Sequence, residues 1–243
     1  MDFQNFFDIF NTVMADNGLS RFAGEEESRM FHKLTEHMLE VNKSMNLTAI
    51  KEERAVILRH YADSLTVAPF LPQNASVIDV GCGAGFPCLP LAICRPDLRL
   101  TALDSTEKRI RYVAETAQML GKTNLTAIAA RAEELANTAD HRERFDICTA
   151  RAVAALPVLC ELCLPFVRVG GSFIAMKAAR GEEELNAAES GIKKLGGQVK
   201  RVHHITLHDG DEQDTRMLIE IKKISPTPAN LPRPYGKICK KPL

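Results

Sequence analysis

From Pro72 to Ile224, short runs rich in β-branched and apolar residues alternate with runs of helical period, and this alternation restricts the architecture more than any other feature. Repeated strand-helix-strand units build a parallel sheet with helices on both faces. Strands are predicted at Ser76–Val80, Leu98–Leu103, Leu125–Ala129, Phe145–Thr149 and Ser172–Met176. Helices are predicted over Phe86–Ile93, Thr106–Leu120, Ala154–Val167 and Gly181–Leu195. Two last strands, about Gln198–Leu207 and Met217–Ile224, flank the turn-forming Asp209-Gly210-Asp211, which pairs them antiparallel at the sheet edge. The fold class is therefore α/β, with a mostly parallel seven-stranded sheet.

The first seventy residues lack that alternation. Phe3, Phe6, Phe7, Phe10, Val13 and Met14 recur at helical spacing, and Asn17-Gly18 ends the run with residues that tolerate the left-handed conformation. Phe31, Leu34, Met38 and Leu39, then Val56, Ile57, Tyr61, Leu65 and Val67, predict two or three more amphipathic helices around a break at Asn46-Leu47-Thr48. The chain thus divides into a helical cap (1–71), a core (72–224) and a tail (225–243). The tail holds five of the twelve prolines and is predicted to be extended, exposed and basic through Lys237, Lys240 and Lys241.

Of the 243 residues, 45% are apolar and 26% charged, which excludes a disordered, collagenous or multi-span membrane protein. Lys plus Arg (31) balance Asp plus Glu (31), so the overall field is not that of a protein coating nucleic acid, although a local basic surface remains open. The seven cysteines are odd in number and sit mostly in apolar runs, a pattern of a reducing compartment. MDFQNFFDIF has no signal-peptide pattern, so a cytoplasmic chain without a membrane segment is expected. Cys160-Glu-Leu-Cys163 lacks the second ligand pair of a zinc site, and no metal is expected.

Val77-Ile-Asp-Val-Gly-Cys-Gly-Ala-Gly-Phe-Pro87 runs a strand into three alternate glycines and then a helix. Glycines serve where backbone turns sharply or a ligand touches the main chain. A dinucleotide-binding turn has the spacing G-x-G-x-x-G, whereas Gly81, Gly83 and Gly85 give G-x-G-x-G. Asp79, just before the glycines, would repel a pyrophosphate and suits a cationic ligand. Asp104, ending the second strand, stands where an acid accepts both hydroxyls of a ribose. The pair favours S-adenosylmethionine over NAD.

Ala132 and Glu133, after the third strand, fall where backbone can meet an adenine, although taken without the other motifs they read first as a solvated helix start with acids near its positive end. Arg151, past the fourth strand, is assigned to the substrate or the cofactor carboxylate. Lys177, ending the fifth strand, can hold a phosphate or be merely solvated. His60 and Asp63 can face each other across one helical turn, either positioning substrate or stabilising the helix. Asn46 is either a substrate-positioning residue or a helix-break residue.

Taken together, Asn46-Leu47-Thr48, Arg59-His60 with Asp63-Ser64, Asp79 to Pro90, Asp104-Ser105 with Lys108-Arg109, Arg131 to Glu134, Ala150-Arg151-Ala152, Lys177 and the Pro-Arg-Pro-Tyr-Gly-Lys tail resemble the bacterial 16S ribosomal RNA guanine-N7 methyltransferases, the RsmG or glucose-inhibited division protein B family. The resemblance covers nearly the whole chain. It implies a Rossmann-like class I methyltransferase that acts, with S-adenosylmethionine as donor, on a guanosine in a 16S rRNA hairpin loop, free or in the 30S subunit; the cofactor positions it implies are Gly81, Phe86, Ala132, Glu133 and Arg151, and a monomer is expected. Cys88 departs from the family's usual Gly, and Cys82 from its usual Ser or Thr.

Guanine N7 carries an in-plane lone pair, so attack on a sulfonium methyl needs no general base and rests on proximity. The sequence also lacks the Asp/Asn-Pro-Pro-aromatic motif of exocyclic amine methylation: Thr149-Ala150-Arg151-Ala152 stands there. Cys88 and Cys148 read as small hydrophobes, not as nucleophiles for cytosine C5. N7 lies in the narrow major groove of A-form RNA, which points to a looped or flipped base. The competing readings are a methyltransferase for a small molecule or protein, and a non-catalytic RNA-binding factor.

Overall fold

A computed structural model describes residues 2–178 and 181–243. The strands are β1 (Ser76–Val80), β2 (Arg99–Asp104), β3 (Leu125–Ala129), β4 (Phe145–Arg151), β5 (Val167–Ala178), β6 (Gly197–Asp209) and β7 (Glu212–Lys223). The helices are α1 (Phe3–Asp16), α2 (Glu25–Met45), α3 (Glu53–Val56), α4 (Asp63–Leu65), α5 (Cys88–Cys94), α6 (Glu107–Met119), α7 (Ala132–Leu135), α8 (Leu156–Cys163), α9 (Gly181–Lys194) and α10 (Tyr235–Lys240). One sheet has the order β3-β2-β1-β4-β5-β7-β6, with β7 antiparallel to both neighbours and the other pairs parallel. After β3 the chain crosses from one side of β1 to the other, so a crevice opens beyond the carboxyl ends of β1 and β4.

The period-2 alternation of β1 explains the two-layered core. Val77 joins a cluster with Phe6, Phe31, Tyr61, Leu89 and Val113, whereas Ile78 joins Leu159, Cys160, Ile192 and Ile219 on the opposite face. Residues of the helical cap therefore share a core with the sheet. The Asp2 carboxylate caps α1 by accepting from the Asn5 N–H, and the buried stripe Phe6, Phe10, Val13 and Met14 faces inward. Phe10 packs on Phe31 at 5.0 Å between ring centroids, and Phe31 on Tyr61 at 4.7 Å. At the end of α1, Asn17 exchanges two hydrogen bonds with the His208 backbone and so ties the cap to β6.

α2 ends at Asn46, whose φ of 50° is left-handed, so the predicted break is real. Asn42 closes the loop, donating to the Thr48 carbonyl and accepting from the Thr48 N–H. Between α3 and α4 the helix widens into a π turn, Ile57–Ala62, a form associated with functional sites; Arg59 and His60 lie in it.

Three expectations need correction. Ala154–Val167 is not one helix: α8 stops at Cys163, a 3-10 turn covers Leu164–Phe166, and β5 already starts at Val167. Pro165 cannot donate to a continuing helical ladder. The β6–β7 hairpin is longer than predicted, because its polar tip pairs as far as Asp209 and Glu212.

The tail is mostly exposed, as expected, but it is fastened to the core and turns helical over Tyr235–Lys240. Arg142 donates to the Thr227, Pro228 and Leu231 carbonyls, and Arg233 forms a fork on the buried Glu161 at 2.8 and 2.6 Å. Lys223, fully buried, donates to Glu143 and to Thr227 Oγ1, both at 2.7 Å. Ile238 on α10 is fully buried, a burial that stabilises by about 2 kcal/mol.

Candidate active site

Beyond the β1 and β4 ends lies a cleft of about 580 Å³. Its floor is the glycine turn. Gly81, Gly83 and Gly85 all have positive φ (74°, 57° and 90°), which L side chains rarely adopt. A Cβ on Gly81 would lie 2.5 Å from the Val153 side chain, so glycine there lets Val153 pack directly against the turn. Gly85 has another role: its Cβ would meet Leu89 at 2.3 Å, so its lack of a side chain lets α5 pack on the turn. Gly81, Gly83 and Phe86 line the cleft; Gly85, expected to bind the cofactor, does not.

The two acids divide similarly. Asp104 lines the cleft, and its two oxygens are aimed by main-chain donors, Gly83 N–H on Oδ2 (3.0 Å) and Thr106 N–H on Oδ1 (2.8 Å). Each oxygen keeps a lone pair for a ligand hydroxyl. Asp79, expected to face the ligand, is instead buried beneath the turn and absent from the cleft wall. Its Oδ1 accepts from Thr149 at 3.1 Å, and the Cys88 thiol and N–H approach the carboxyl. Burial pushes its pKa up to about 7, against the opposing pull of Thr149 and Arg151. Cys88 is itself fully buried beside that carboxyl.

At the far end, Ala132 and Glu133 line the cleft as expected, with Arg131 Nη1 3.8 Å from Glu133. Arg151 lines it too, stacked 5.4 Å above the Phe86 ring. Its Nη1 donates to Asp63 Oδ2 (2.9 Å) and to the Arg59 carbonyl (3.0 Å), leaving Nε and Nη2 without a hydrogen bond among the described residues. His60 lines the cleft, stacked on Phe86 at 4.5 Å and 6°. Burial, then the Arg151 charge, lower its pKa to about 4, so it is neutral at pH 7.

His60 and Asp63 do not pair across their turn. His60 Nε2 contacts Thr48 Oγ1 at 2.8 Å, while Asp63 bridges Arg151 and Arg216, the latter at 3.2 Å. Asp63 holds a cleft residue without itself lining the cleft. Asn46 is the helix-break residue, and its neighbour Leu47 reaches the cleft. Lys177 is not poised for a phosphate: its Nζ donates to the Ala154 carbonyl (2.9 Å) and pairs with Glu184 (2.7 Å), clamping the loop after β4.

Sequence reasoning missed Val153, Leu162 and Tyr235 as wall residues. No local pattern marks the first two. Tyr235 had a signal, an aromatic residue among prolines, which the expectation of a free tail discarded.

The family described as rRNA small subunit methyltransferase G matches residues 27–214 of this chain. The chain belongs to that family. It is 46% identical over 230 residues to the ribosomal RNA small subunit methyltransferase G of Deinococcus radiodurans, covering 94% of this chain and 89% of the relative. Identity to the same-named protein of Limosilactobacillus reuteri is 44% over 239 residues, covering 96% and 98%. Among solved structures it resembles Geobacter metallireducens precorrin-6y C5,15-methyltransferase (TM-score 0.51, 14% identity, 74% of this chain and 91% of that one). It also resembles M. jannaschii TYW2 in complex with AdoMet (TM-score 0.52, 15% identity, 67% and 75%). Those likenesses bear out the Rossmann-like class I methyltransferase fold that the family resemblance implied. As a member of the rRNA small subunit methyltransferase G family, the chain is an enzyme, an S-adenosylmethionine-dependent methyltransferase.

Proposed function

We propose that this chain methylates N7 of a guanosine in a hairpin loop of 16S ribosomal RNA, acting as a cytoplasmic monomer and without a general base. The residues fit the donor. Gly81 and Gly83 present bare main chain, Asp104 offers two oriented acceptors to a ribose, and Ala132 and Glu133 wall the opposite end. When bound, S-adenosylmethionine supplies a methyl group activated by its sulfonium.

The observation that carries the reading is the state of the cleft's middle. His60 is a weak base, its pKa lowered to about 4 and its Nε2 engaged by Thr48, Asp79 lies under the floor, and Asp63 is engaged by two arginines, so none of the three is suited to take a proton from a base near neutral pH. That suits an acceptor nitrogen that has no proton to lose. Positive charge develops on the purine during transfer, so a cation beside N7 would oppose it. Arg151, fixed by Asp63 and Arg59, instead offers Nε and Nη2 to an oxygen such as O6 or a carboxylate.

The test is methyl transfer from labelled donor to naked 16S rRNA and to 30S particles, followed by mapping of the modified atom. Label on guanine N7 is expected; label on an exocyclic nitrogen, on carbon or on protein refutes the proposal. Asp104→Ala should weaken donor binding in calorimetry by tenfold or more, in line with the roughly 1.5–3 kcal/mol of a hydrogen bond to a charged group.

A further inference from the structure

The C-terminal strap, residues 225–243, lies beyond residues 27–214, where the family model matches, and contains no acidic residue. Its fixed course nevertheless brings it to the cleft. Glu161, Arg142 and Lys223 fasten it at Arg233, at three carbonyls and at Thr227, and Ile238 buries one side of α10. The residue this delivers to the cleft wall is Tyr235, whose ring lies 5.7 Å from the Arg131 guanidinium. The other side of α10 and its exit carry Lys237, Lys240 and Lys241, all exposed and without an ion pair among the described residues.

We propose that the strap is a second contact face for the RNA, on which Lys237, Lys240 and Lys241 hold backbone phosphates next to the cleft. The proposal rests on the rRNA reading above. Six helical residues rise about 9 Å, little more than the spacing of two phosphates along one strand, so the three amines serve a short stretch of backbone adjoining the base in the cleft. The folded neighbourhood explains why a neutral protein binds a polyanion here. Arg233 is neutralised by Glu161 inside the fold, while the three lysines have no acid in the strap to compete with phosphate. Half-exposed Arg131 and the Tyr235 ring continue the same face into the cleft.

The experiment uses the full chain and an unmodified 16S rRNA transcript, with binding measured across a salt series. For Lys237→Gln/Lys240→Gln/Lys241→Gln, affinity should fall about tenfold or more and the slope of log K against log salt should shrink by about two, at ~0.7–0.9 per lost phosphate contact. Donor affinity should not change, and the triple Lys→Arg variant should restore the slope. An unchanged slope and RNA affinity in the Gln variant overturn the proposal. So does a defect seen with 30S particles but not with naked RNA, which assigns the strap to a ribosomal protein. If the unaltered chain shows no salt-dependent rRNA binding at all, the rRNA reading itself fails.

Discussion

Asp79 titrates near neutrality because it is buried under the glycine turn with little compensating hydrogen bonding. Its folded pKa, about 7, lies above the ordinary carboxylate value of 3.8, so ionisation favours the unfolded chain. The destabilisation is absent at acid pH, grows as pH rises through the interval between those values, and is complete above about pH 7. Asp79→Asn should therefore gain in melting temperature relative to the parent as pH is raised from about 5 to about 8, measured by scanning calorimetry at each pH; a constant difference would show that Asp79 is ionised throughout. Asp63 acts on Arg151, not on substrate. Asp63→Ala should lower kcat/KM for RNA by tenfold or more with donor affinity little changed, since it frees a guanidinium that must hold one orientation. Arg216→Ala, one contact further out, should give a smaller loss of the same sign in the same steady-state assay.

At the scale of elements, β1 and β3 coincide with their predicted limits because turn residues bound both apolar runs, the first buried mid-sheet and the second half-exposed at the sheet edge. Glycine spacing likewise located the floor of the cleft, and strand-end position located Asp104 and Arg151. What the sequence did not show is the direction in which a residue faces once the sheet twists. Lys177 sits at the expected strand end but turns to Glu184, and Asp79 points beneath the turn it precedes. The π turn was equally hidden, because Val56, Ile57, Tyr61 and Leu65 satisfy an α pattern. The strap was misjudged because its prolines describe local backbone only, while its anchors come from residues some 70–90 positions away. Lys223, only four positions before Thr227, ties the strap to Glu143, 80 positions away. Burial lowers its pKa, opposed by Glu143, and removing it leaves Glu143, Thr227 and two carbonyls short of a donor. Lys223→Ala should reduce unfolding free energy by about 3 kcal/mol in urea titration.

Across the whole molecule, the cleft is assembled from parts that are remote in the chain: Leu47 and His60 from the cap, Asp104 and Arg151 from strand ends, Tyr235 from the strap. Cap and sheet share a core, so the cap is part of the folding unit. Asn17 and Arg54 further tie the cap to the far hairpin, Arg54 pairing with Asp209 at 2.6 Å. Asn17→Ala should destabilise the chain by about 1–2 kcal/mol through the His208 backbone groups it leaves unsatisfied, and hydrogen exchange should rise first at the hairpin.

The wide turn at Ile57–Ala62 amounts to an inserted residue absorbed by the helix, so deleting one residue there would restore an ordinary α repeat and rotate everything after it by about 100°. Asp63 would swing away from Arg151 while the hydrophobic stripe of the cap re-registered. A shortened chain of this kind would keep its helix content and lose its chemistry, so chain length at this point sets where Asp63 stands.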